Sequence, residues 1–115
     1  MILYSHRPKL GVSVAVTSLD GTLRIAVAQA HSRLDSFSRA RARQILNGRL
    51  NTAPDLTYET NLNVHDFMNA FKAWFKPTVD ESDSTFPKKI AKRRNKIAEM
   101  IASKSAEIVA ESVPF

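Results

Sequence analysis

Residues 11–30 read GVSVAVTSLDGTLRIAVAQA: two runs of alternating apolar and small or polar residues, joined by Asp20-Gly21. A period of two marks a half-buried strand. Asp-Gly between two such runs is a strong hairpin signal, because a two-residue type I′ turn needs φ > 0 at both central positions. That loop sets Leu19 opposite Thr22, Ser18 opposite Leu23, Val16 opposite Ile25 and Val14 opposite Val27. The four β-branched residues of the last two pairs share one face, and a slip of one residue would throw one strand's set to the other side. The opposite face carries Ser13, Ala15, Thr17, Arg24, Ala26 and Ala28, so it is thin and partly polar. The short apolar run 2–4, ended by Pro8, is expected to add a third strand.

After residue 30 the spacing becomes helical. Segment 34–50, LDSFSRARARQILNGRL, is expected to start near Leu34 or Asp35, with Ser32 or Asp35 as N-cap, and to end at Gly48. At about 100° per residue, Leu34, Phe37, Arg41, Ile45 and Gly48 fall on one face. Arg41 then points toward the hairpin, either packed on backbone carbonyls or snorkelling past it, while Arg39 and Arg43 lie opposite, near Leu46 and Leu50. The polar connection 51–63 contains Pro54 and has room for an extended piece at 56–60. A second helix follows, capped by Asn61 or Asn63. Val64, Phe67, Met68, Phe71, Trp74 and Phe75 give it a wide apolar face, and Pro77 stops it. Residues 78–85, TVDESDST, read as an acidic linker. The last helix is expected from about Phe86, capped by Ser84 or Thr85, with Pro87 in its first turn, to about Ala110. Ile90, Ile97, Ile101 and Ile108 form a narrow stripe along it. These elements predict an α+β fold: an antiparallel hairpin or three-stranded meander covered by the first two helices. The organisation is a core domain over 1–77, a linker over 78–85 and a basic amphipathic helix over 86–115.

Composition narrows the class. A chain of 115 residues has room for one modest core. The absence of cysteine excludes disulfides, thiolate zinc sites and a cysteine nucleophile. No apolar run approaches the roughly 20 residues needed to span a bilayer, and the N-terminus lacks a signal peptide's long apolar core. The expected location is the cytoplasm, with no membrane partner.

Charge is the most informative property. The net charge is +6, and it is unevenly spread: residues 1–50 and 88–115 are basic, whereas 51–87 is acidic. The run KKIAKRRNK places Lys88, Lys89, Lys92, Arg93, Arg94 and Lys96 at the start of a helix, where cations oppose the macrodipole at about 0.3–1 kcal/mol each. An external polyanion accounts for six such charges better than helix stability does. The alternatives are a solvated face partly neutralised by Asp80, Glu81 and Asp83, and an acidic protein partner. Arg39, Arg43 and Arg49 form a second basic cluster, suited to phosphate contact or to plain solvation.

Other chemistry is sparse. Phe67, Phe71, Trp74 and Phe75 could stack bases, but their helical spacing favours core. His6, His31 and His65 lie in separate segments without ligand spacing, so no metal or other cofactor is expected. No nucleophile motif and no Gly-rich phosphate loop occur, and no enzymatic activity is expected.

Within 12–50, the hairpin, a short loop and then Asp35, Phe37, Ser38, Arg39, Arg43, Ile45, Gly48, Arg49 and Leu50 resemble a pattern in small uncharacterised bacteriophage-encoded proteins. Where that family often has glycine before the middle arginine, this chain has Ala42. The resemblance implies a phage or mobile-element origin, hence a host cytoplasm, and implies no particular mechanism. The expectation is a non-enzymatic nucleic-acid-binding accessory protein for DNA or RNA, contacting phosphates through its basic helices. The alternative is a protein-interaction factor, either a host-enzyme modulator or a self-associating protein, with the stripe Ile90, Ile97, Ile101 and Ile108 as partner or homodimer seam.

Overall fold

In a computed structural model of the protein, which describes residues 1–7, 11–29, 38–78 and 90–111, Asp20 and Gly21 take φ of 50° and 76°. Both are the positive values that a type I′ turn demands. The turn joins β2 (Val12–Leu19) to β3 (Thr22–Gln29) in the expected register, with Val14 opposite Val27 and Val16 opposite Ile25. β1 (Ile2–Arg7) pairs antiparallel with β2, running beyond the 2–4 expected of it. The sheet also has a fourth strand. β4 (Leu56–Glu59) pairs antiparallel with β3, giving the order β1-β2-β3-β4.

Each face of the sheet carries its own core. On one, Val12, Val14, Val16, Leu23, Ile25 and Val27 pack with α2 (Val64–Thr78) and α3 (Ile90–Glu111). Phe67, Phe71 and Phe75 are fully buried there, and Trp74 is half-buried against them. The aromatic set is therefore core. Asn63 caps α2, its Oδ1 accepting the His65 amide at 2.7 Å. Ile97, Ile101 and Ile108 are buried in the same cluster. The isoleucine stripe is thus interior and cannot be a homodimer seam at these positions; the Ile90 side chain lies outside the described part. Through Ile97, Ile101 and Ile108 the C-terminal helix packs on the core over 1–77. Tyr58 Oη of β4 donates to the Ala102 carbonyl at 3.5 Å, tying the fourth strand to α3 as well.

The thin face receives α1 (Arg39–Thr52). Ala15, Ala26 and Ala28 are short enough to let the helix approach, and Leu46 and Leu50 fill the gap, flanked by Ile2 and Tyr4. Three expectations about this helix need correction. It starts at Arg39, not near Leu34 or Asp35: Ser38 is extended (φ −129°, ψ 118°) and its Oγ accepts the Arg41 amide. It runs through Gly48 to Thr52, and Pro54 ends it by disfavouring the helical conformation at Ala53, which has φ −153° and ψ 72°. Its buried side is Ala42, Leu46 and Leu50, whereas Arg41 is exposed and Ile45 is 39% exposed. The helix is turned roughly half a revolution from the expected orientation. Large apolar residues occur on both sides of it, and the three sheet alanines decide which side fits.

The proposed caps Ser32, Asp35, Ser84 and Thr85, and the start of the last helix at Phe86–Pro87, lie outside the described residues. So does nearly all of the acidic linker.

Candidate nucleic-acid interface

α1 contains four arginines and no acidic residue. Arg41 lies on the outward side, and Arg39 and Arg43, on the side of Leu46 and Leu50, are exposed as well. None of the three forms an ion pair with a carboxylate among the described residues. The Arg43 guanidinium lies 4.8 Å above the Tyr4 ring, a cation–π contact that holds it over β1. Tyr4 is itself fixed, its hydroxyl donating to Asn47 Oδ1 of α1 at 2.5 Å.

His6 stands next to Tyr4 on the same side of β1, the two rings being nearly parallel at 6.2 Å between centroids. Its Nδ1 is 2.7 Å from the Ser13 hydroxyl on β2. Ser13 is fully buried, so this bond anchors the imidazole. Burial lowers the His6 pKa below the ordinary 6.5, and the charges of Arg43, Arg39 and Lys72 lower it further. His6 therefore reports a concentration of positive charge supplied from both sides of the sheet, since Lys72 belongs to α2. The start of α2 lies at the other end of β1, where His65 Nε2 is 3.1 Å from Met1 Sδ.

The second basic segment comes to the same end of the sheet. Arg94 of α3 donates to the Gln29 backbone carbonyl at 3.4 Å, and the Gln29 side-chain Nε2 donates back to the Arg94 carbonyl at 3.0 Å. Gln29 pairs with Val12 and Val12 with Arg7, in the row of the sheet next to Ala28, Ser13 and His6. Strands lie about 4.8 Å apart. The start of α1 and the start of α3 therefore sit over one end of the sheet, on opposite faces. Lys92 is exposed there, and Arg93 and Lys96 are half-buried. Lys88 and Lys89 lie outside the described residues.

Not every arginine in the expected set is available. The Arg49 guanidinium donates to the Val27 carbonyl, and Asp55 Oδ2 accepts the Val27 amide at 2.7 Å. Val27 lies beyond the Ile25–Leu56 pair that ends the β3–β4 pairing, so these two side chains replace the missing strand. Arg49 is an edge cap, and Arg94 is in part a tie between α3 and β3. Arg24 Nη1 likewise donates to the Leu50 carbonyl near the end of α1, at 3.3 Å. Sequence reasoning missed Tyr4, His6 and Lys72. Alternation along β1 puts Tyr4 and His6 on one side, but only the β1–β2 register and the seating of α1 bring the arginines to them.

Among the described residues, no helix is long and apolar enough to cross a membrane. No family model matches the sequence, and neither a curated protein nor a solved structure matches it.

Proposed function

We propose that this protein binds nucleic acid without catalysing a reaction on it, as an accessory factor of a phage or mobile element acting in the host cytoplasm. One observation carries the reading. The exposed arginines of α1 and the cations at the start of α3 lie over the same end of the sheet, on its two faces, and the α1 set has no carboxylate partner among the described residues. Arginine suits this role because its planar fork stays charged and matches phosphate oxygens. The cations at both helix starts oppose the macrodipole, a cost that a bound phosphate chain offsets. Arg39, Arg41, Arg43, Lys92, Arg93 and Lys96 are the contacts, while Arg49 and Arg94 hold the scaffold. The phage origin rests on the resemblance of segment 12–50. Burial of the isoleucines removes the surface on which self-association was expected to rest.

The test is binding of a mixed-sequence duplex and a single strand, followed by anisotropy across a salt series. Each neutralised phosphate releases counterions, so log K falls with log salt at a slope of about 0.9 per phosphate on duplex. Arg39→Gln with Arg41→Gln and Arg43→Gln flattens that slope by roughly one unit for each phosphate no longer neutralised, and weakens all sequences alike. The Lys92→Gln, Arg93→Gln variant does the same, while thermal stability stays level or rises. Absence of binding by the parent at about 50 mM salt, where non-specific affinity is strong, refutes the proposal.

A further inference from the structure

The two edges of the sheet are treated differently. Where β3 extends past β4, its free amide and carbonyl at Val27 are closed by Asp55 and Arg49. At the other edge, β1 has no such closure over residues 2–5. Among the described residues, no side chain or main chain bonds to their outward backbone groups. β1 is six residues long and contains no proline, so neither shortness nor proline blunts this edge. An open edge of this length is a template for one more strand.

The surroundings of that edge select the strand by charge. On the α1 side stand Tyr4 and His6, with the Arg43 guanidinium over the Tyr4 ring and Arg39 close enough to act on His6. On the α2 side stand Leu3, packed on the larger core, with His65 near the start of β1 and Lys72 near its end. A second copy of this chain would bring the same cations to the edge and be repelled. An acidic strand would be attracted, with its carboxylates on the α1 side and apolar residues on the Leu3 side, since successive side chains alternate.

From this edge we infer an interaction surface: β1 accepts an extended acidic polypeptide segment of alternating acidic and apolar residues as a fifth strand. Main-chain bonds to β1 supply the register, and Arg39 and Arg43 on the α1 side supply the charge preference. This goes beyond nucleic-acid binding, although it draws on two of the same arginines.

The experiment uses the full chain and a labelled peptide as long as β1, alternating glutamate and valine. Two controls accompany it: the glutamine version, and the glutamate version with alternate backbone amides N-methylated on the edge facing β1. The parent peptide binds, and the amide resonances of Leu3, Tyr4 and Ser5 shift. Both controls bind at least about tenfold more weakly. Equal binding of the N-methylated and parent peptides overturns strand addition, because only the charge is then being read. Equal binding of the glutamine peptide overturns the charge preference, and no binding of any peptide overturns the inference entirely. An oligonucleotide run beside them keeps the outcomes apart: its failure to bind tells against the proposed function alone, and peptide failure against this edge alone.

Discussion

Truncating Leu46 and Ile45 in turn tests which side of α1 meets the sheet. Leu46 is fully buried among Ala15, Ala26, Ala28 and Leu50, while Ile45 is 39% exposed. Leu46→Ala removes about three methylene equivalents from a dry contact, worth roughly 0.8 kcal/mol each. The neighbours cannot close the gap, because alanine side chains are too short to reach it and their backbone is held in the sheet ladder. A residual cavity therefore adds to the transfer term. The expected loss is about 3–4 kcal/mol, a large part of the roughly 5–15 kcal/mol typical of such domains. At 115 residues that lowers Tm by about 12 °C or more. Ile45→Ala leaves no cavity and costs about 1 kcal/mol or less. Urea unfolding followed by circular dichroism gives both values, provided the m-value is unchanged. If Ile45→Ala costs more than Leu46→Ala, the helix is seated the other way round, with Arg41 inward, and the placement of the arginines falls with it.

Three further outcomes are expected. Gly21→Val forces a β-branched residue to φ 76°, and despite open space around it should destabilise the fold by about 1 kcal/mol or more in a thermal melt. Asp55→Ala leaves the Val27 amide, on a residue only 8% exposed, without its acceptor; the cost should be about 1–3 kcal/mol by urea unfolding. His6 binds its proton more weakly when folded than its ordinary 6.5, so the unfolded chain takes up more protons as pH drops through about 6.5. Stability should fall from there toward the lower folded value and stay level above it, and His6→Gln should remove that component from the pH–stability curve.

The hairpin was legible in full because two signals agreed. Asp20-Gly21 allows one turn, and the alternation of Val14, Val16, Ile25 and Val27 allows one register. The aromatic face of α2 was legible for a similar reason, since Phe67, Phe71 and Phe75 recur at helical spacing with nothing large opposite. α1 was not. Leu46 and Leu50 on one side balance Ile45 on the other, and Gly48 imitates a C-cap while lying inside the helix. The deciding facts are the small size of Ala15, Ala26 and Ala28, which acts across the tertiary contact, and Pro54 beyond Gly48. The basic clusters were visible as charge, but their placement over the same end of the sheet depends on the β1–β2 register and on the Arg94–Gln29 bonds. Neither is a local property. The role of Arg49 was hidden for the same reason, since the edge it caps exists only once β4 has ended.

The two faces of the sheet hold their helices with very different strength. α2 and α3 are gripped by aromatic and branched side chains, but α1 sets only its Leu46 and Leu50 on three alanines and the flanks of Ile2 and Tyr4. Regions with little buried apolar surface open at lower free energy than the whole molecule unfolds. The amides of α1 should thus exchange with deuterium ahead of those in β2, β3 and α2, through detachment of one helix from an intact sheet. That helix carries three of the exposed arginines, so under the proposed function a phosphate chain seated on them would latch it down, and part of its binding free energy would go into ordering the layer that binds it.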